Sequence, residues 1–204
     1  MPYNGIKLNL SNNSRVYCIE EIITFPFNYQ NIDFNVIIKK VSKEVQIEIS
    51  VSIEQEADIL IEFVVDILKF DMLFSGFFLN IDDVLFMKGS DYISSQEHKD
   101  NLAYFFYSND EYKRHRWEFR HYFNQDNYPI FLKRWIDLVE DLDIIHQMFL
   151  YANANIGITV DLRFMLFVQC FQPLAHLLEQ KGKIKIAKKE ATLNSQYQKS
   201  NSSC

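Results

Sequence analysis

The stretch Val160 to Lys181, VDLRFMLFVQCFQPLAHLLEQK, limits what this chain can become more than any other. Thr159 is placed to cap a helix here, Asp161 falls in the first turn where the helix dipole favours an acid, and Gly182 stands where helices commonly end. Leu162, Phe164, Phe167, Val168, Phe171 and Leu174 are spread most of the way round the axis of that helix. A helix apolar on nearly all sides belongs in an interior. Pro173 removes one backbone hydrogen bond and predicts a kink. The run Leu162 to Leu178 also holds Arg163, Gln169, Gln172 and His176, and it is short of the roughly 20 apolar residues that span a bilayer, so no membrane is expected.

A second helix is predicted over Tyr128 to Asn153. Pro129 suits its first turn. Phe131, Trp135, Leu138, Leu142, Ile145, Met148 and Phe149 recur at intervals of three and four, with Asp137, Glu140, Asp141 and Asp143 on the other side. This helix can cover one side of the helix of Phe167 and a sheet another, but a helix cannot be enclosed from every direction so. Leaving ~300 Å² of apolar surface wet would forgo about 7 kcal/mol, comparable to the stability of a whole domain. Residues 183–204, KIKIAKKEATLNSQYQKSNSSC, are polar, basic and weakly patterned, and read as a disordered tail that cannot supply the cover. Either self-association or a helical partner chain covers the 160–181 helix, or the protein is a shortened form of something longer.

The first 125 residues are rich in strand signals. Val45, Ile47, Ile49, Val51 and Ile53 alternate with Gln46, Glu48, Ser50, Ser52 and Glu54, which puts every aliphatic side chain on one face of a half-buried strand. Asp33 to Lys40 is its expected hairpin partner through VSKE, and Ser14 to Thr24 another strand. Glu54 to Phe74 changes to helical spacing, with Ile59, Phe63, Ile67 and Phe70 on one stripe, and Ser75-Gly76 breaks it. Phe77 to Phe86, Leu102 to Tyr107 and Lys113 to Phe123, separated by turn-rich KGSD and SNDE, read as later strands of the same sheet. A domain boundary is expected at Asn124 to Tyr128.

Apolar residues make up 48% of the 204 residues and Gly plus Pro only nine, the profile of a packed protein. A net charge of -6 argues against a generally basic nucleic-acid binder while leaving room for a local basic patch. Cys18, Cys170 and Cys204 show no metal-ligand spacing and are too few for a disulfide framework, so they read as reduced thiols in the cytoplasm. The N-terminus MPYNGIKLNLSNNS is polar where a signal peptide needs a basic start and an apolar run.

FLKRW, an acidic amphipathic helix, a short loop and then LRFMLFVQCFQPLAHLLE resemble the start of the HEPN domain in ApeA-type anti-phage proteins. The matching positions are Phe131, Leu132, Trp135, Arg163, Phe164 and Gln169, while Gln172 stands where the family usually has Glu. The resemblance covers roughly Tyr128 to Gly182. It implies a strand-rich domain ahead of a helical one, RNA-directed activity during phage infection, and an Arg-x4-6-His motif on a late helix. Family chains run well beyond the equivalent of Gly182, so those catalytic helices are expected to be absent.

Upstream, YKRHRWEFRHYF contains Arg116 to His121 as Arg-x4-His and Arg114 to His121 as Arg-x6-His. RNA cleavage through a 2′-hydroxyl needs a base such as His and a cation at the phosphate, which makes Arg116 and His121 the catalytic candidates. Arg114, Arg116, Trp117 and Arg120 are the candidate RNA-binding residues, pairing cations with stacking surfaces. The plainer reading, which is favoured, is a strand with Trp117, Phe119 and His121 inward and Arg116, Glu118 and Arg120 in water. His98, His115, His121, His146 and His176 lack ligand spacing, so neither a metal nor any other cofactor is expected. His146 and His176 read as packed or hydrogen-bonded core residues. The acidic group Asp137 to Asp143 reads as a solvated helix face, and the glycines are too scattered for a phosphate loop.

The sequence therefore predicts an α+β protein. A β-rich domain over 1–125, with one helix packed on a sheet, precedes a helical hairpin over 126–182 resembling the start of a HEPN bundle. The function expected is the sensing or interaction portion of an anti-phage defence protein without its own complete nuclease site. The alternatives are a small HEPN-like RNase completed by dimerisation and an RNA-binding module.

Overall fold

The structure, a computed structural model, describes residues 1–10, 22–42, 44–75, 81–105, 123–154 and 159–182. Its base is one sheet in which strands β1 (Pro2–Leu10), β2 (Ile22–Tyr29), β3 (Ile32–Val41), β4 (Glu44–Glu56), β5 (Ile81–Lys88) and β6 (Asp91–Ser94) lie in the order β2-β3-β4-β1-β5-β6. All neighbouring pairs are antiparallel.

The alternation over Val45 to Ile49 does what its period requires: these residues are buried on one face while Gln46 and Glu48 face outward. The VSKE hairpin also forms, with Val41 opposite Glu44. The strand expected within Ser14 to Thr24 is described only from Ile22 onward and runs on to Tyr29. A two-residue turn, Gln30 and Asn31 at φ 50 and 63, joins it to β3 in the geometry that suits the twist of a hairpin. Strand register brings Phe25, Val36, Ile49, Ile6 and Phe86 into one row across the inner face. β1 occupies the middle of the sheet, although its sequence had drawn notice only for its polarity. Gly5 is needed there, because a Cβ would come within 2.1 Å of the Ile49 carbonyl oxygen.

Helix α1 (Ala57–Ser75) lies on the inner face. Phe63 meets the rings of Tyr29, Phe34 and Phe27 at centroid distances of 4.6, 4.8 and 5.4 Å. The expected stripe of Phe63, Ile67 and Phe70 is buried, with Ile59 half-buried, but so are Leu60, Val64, Leu68 and Met72. α1 is apolar on two sides because it is covered on two sides.

Two expectations need correction. Leu102 to Phe105, read as strand, belongs to helix α2 (Gln96–Phe105). Its start is fixed by Ser95, whose hydroxyl accepts from the His98 N–H and whose carbonyl accepts from the Lys99 N–H. The single helix over Tyr128 to Asn153 is two, α3 (Tyr128–Ile136) and α4 (Val139–Ala154). The Trp135 indole N–H reaches the Asp66 carbonyl at 3.0 Å, and His146 Nε2–H reaches the Lys69 carbonyl at 2.8 Å. On a straight helix Trp135 and His146 would be about 16 Å apart, whereas Asp66 and Lys69 are separated by about 4.5 Å on α1. The chain turns at Asp137–Leu138 so that both can reach, and the two rings end 5.2 Å apart.

Composition changes at residues 124–128, where a domain boundary is expected, yet packing runs through. Tyr128, fully buried, touches Phe25 and Phe70, and Leu132, Trp135 and Val139 join the same core. Helix α5 (Val160–Gln180) starts as expected, with the Thr159 hydroxyl accepting from the Leu162 N–H, continues through Pro173 and is followed by Gly182 at φ +67. Residues 76–80, 106–122 and 183–204 lie outside the described residues. With them lie the first part of the 77–86 strand, nearly all of the 113–123 strand and the expected tail.

Candidate functional site

α5 packs along α4, not on the sheet. Phe167 meets Phe149 at 6.0 Å, the Cys170 thiol points to the Ile145 carbonyl, and Lys181 pairs with Asp141 at 2.5 Å. Cys170 is the one residue of this helix that is buried, and burial pushes its thiol pKa up. On the other side Val160, Phe164, Val168 and Phe171, spaced four, four and three, form a stripe open to solvent. Phe164 is 67% exposed and Phe171 65%. Met165 and Leu162 flank it, also exposed. A packed protein does not normally leave this much contiguous aromatic and aliphatic surface wet unless something binds there. Within the stripe, from Phe164 to Ala175, there is no charged residue.

A second group of side chains lies where α1 meets its cover. Glu62, Asp66 and Lys69, at i, i+4 and i+7, share one side of α1. The Tyr29 hydroxyl donates to Asp66 at 2.9 Å and approaches Glu62 at 3.2 Å, and the Gln30 amide donates to Glu62 at 2.8 Å. Lys69 pairs with Asp143 of α4 at 2.5 Å. Burial raises the Asp66 pKa above the usual carboxylate range, although the Tyr29 hydrogen bond and the Lys69 charge act against it. Burial likewise raises the Tyr29 and Tyr128 hydroxyls, Tyr128 donating to Asp71 at 2.9 Å. These groups tie the β2–β3 turn and α4 to the same helix, and they are partnered with each other.

His146 differs. It is 3% exposed, and burial lowers its pKa to about 4. Since Nε2 donates to a carbonyl, Nδ1 carries the lone pair, and it is buried with no hydrogen-bond partner among the described residues.

The residues singled out for RNA chemistry, Arg114, Arg116, Trp117, Arg120 and His121, lie outside the described residues. Of the histidines read as core, His146 is one; His176 is on the surface, 3.9 Å from Glu179. The acidic face is not simply solvated, because Asp137, Asp141 and Asp143 pair with Lys133, Lys181 and Lys69. Among the described residues no group of three or more His, Cys, Asp or Glu is placed to hold a metal ion, and no helix is long and apolar enough to cross a membrane. Sequence reasoning did not single out Glu62, Asp66 or Lys69. Their i, i+4, i+7 spacing on a helix that is mostly apolar apart from Asp58 and Asp71 was the available signal. Comparison with protein-family models, with curated proteins and with solved structures found no match.

Proposed function

We propose that this chain is the sensing or interaction portion of a cytoplasmic anti-phage defence protein of HEPN type, and that it works by docking the open stripe of α5 against another copy of itself. The exposure of Phe164, Val168 and Phe171, on a helix whose buried side is already filled by α4, supports the docking, and the defence role rests on the resemblance of FLKRW and the 160–181 helix to HEPN sequences. With no charged residue between Phe164 and Ala175, two such stripes can meet without opposing like charges. The two phenylalanines, with Val160, Met165 and Val168, offer roughly 500 Å² of apolar surface. Covering that area on both copies buries roughly 1,000 Å², the lower limit for a specific interface.

The test is a phage challenge of bacteria expressing the chain in its natural sequence context, beside a Phe164→Asp/Phe171→Asp variant. The reading predicts a drop in plaque formation with the natural protein that the variant loses. Equal plaquing on cells with the natural protein, with the variant and with neither would remove the defence reading.

A further inference from the structure

We infer that the α4–α5 hairpin is an arm that pivots on the Asp137–Leu138 turn, with Lys69 on α1 as the catch that holds it closed. Among the described residues, the contacts that hold the arm to α1 and α3 lie in the first half of α4. The main core takes in Trp135 and Val139, with Leu142 packed on its edge, and includes no residue of α4 beyond that point and none of α5. The buried positions further out, Ala152 and Cys170, stand apart from it.

Across the near end, one residue supplies both polar ties described. The Lys69 ammonium holds Asp143 at 2.5 Å, and the Lys69 carbonyl accepts from His146 at 2.8 Å. Both bonds can be exchanged for water when the arm lifts. The link to α3 is short enough to bend without melting either helix: the Leu138 N–H bonds the Trp135 carbonyl in a tightened last turn, and the Leu142 N–H bonds the Leu138 carbonyl to begin α4. The closed position keeps His146 Nδ1 buried with no hydrogen-bond partner among the described residues, a cost that lifting the arm into water removes.

The same histidine sets the direction of a pH response. The charged groups facing it are Lys69, which opposes its protonation, and Asp143, which favours it; Asp66 lies next to Lys69, and Trp135 brings no charge. In the closed arm His146 stays neutral down to about pH 4. Once hydrated it regains an ordinary value near 6.5, so between those limits the open arm binds a proton that the closed arm does not. Acid therefore favours opening, by about 20-fold between pH 7 and pH 5.

Spin labels at Ser52→Cys on β4 and Gln172→Cys on α5, both exposed sites, measure the arm directly. Cys18, Cys170 and Cys204 are replaced by Ser or Ala, and excess unlabelled chain removes distances between copies. The expected result is one dominant distance at pH 7 and a second, several-fold enriched, in Lys69→Met and Asp143→Asn, with circular dichroism unchanged. Acidification to pH 5 should enrich the same second distance, and His146→Gln, which keeps a donor but cannot titrate, should abolish that response. An identical distance distribution in the natural chain and both catch variants at both pH values overturns the arm. So does a change that appears only with loss of helix.

Discussion

α1 and α5 are both long helices with apolar residues on most of their circumference, and they end in opposite situations. α1 is enclosed: the sheet takes Phe63 and Ile67, while α3 and the segment before it take Phe70 through Tyr128 and Phe123. α5 has α4 on one side and solvent on the other, with Phe164 and Phe171 in the open. A sequence can state that a helix needs cover all round. It does not state which molecule provides it. Chain order is part of the reason, since α1 is flanked by elements that fold back over it from both directions, whereas α5 follows all the described elements.

The sharpest way to break the comparison is to truncate one aromatic on each helix. Phe63→Ala should cost about 3–5 kcal/mol in chemical denaturation, because it leaves a cavity among Tyr29, Phe27 and Phe34. Phe164→Ala, measured at a concentration low enough to keep the chain monomeric, should change stability by no more than about 0.5 kcal/mol. Comparable losses at the two sites would mean that α5 is core after all.

Next in size is the pH dependence where α4 meets α1. His146 is neutral when folded, with a pKa lowered to about 4. Its contribution is therefore complete above about pH 6.5 and lost as pH falls toward 4, amounting to about 2 kcal/mol between pH 7 and pH 5. Asp66 acts with the opposite sign, since its raised folded pKa contributes stability at low pH that is lost as pH rises through that value. The difference between the natural chain and His146→Gln, followed by urea denaturation across this range, isolates the histidine. A parallel pair of curves would show that His146 is not held neutral.

Smaller again, Tyr128→Phe removes a buried hydrogen bond to Asp71 and should cost about 1–2 kcal/mol. Lys69→Met, which breaks a partly exposed ion pair, should cost at most about 1 kcal/mol.

Strand β4, its hairpin with β3 and the span of α5 were written in the sequence as local periodicity and caps, and they form where those signals lie. β1 carries the same signal, Ile6, Leu8 and Leu10 alternating with Lys7 and Asn9, but it is short and set among polar residues, so only its place between β4 and β5 makes it plain. The break between α3 and α4 had no such local mark. It follows from two hydrogen bonds to α1, seventy or so residues upstream, and long-range demands of that kind override a helical pattern that looks continuous. The polar stripe on α1 was legible only as a spacing, because Asp66 and Lys69 gain meaning once Tyr29, Trp135 and Asp143 are brought to them. The stripe on α5 is different in kind, for its need of cover could be read directly, and only the side left open required coordinates.

Static light scattering on the purified 24.3 kDa chain across a concentration series tests the contrast between the two helices most directly. A mass rising from one chain toward two, and held at one by Phe164→Asp/Phe171→Asp with secondary structure unchanged, is the predicted result. A single-chain mass at every concentration, with no binding of a hydrophobic dye, would contradict it.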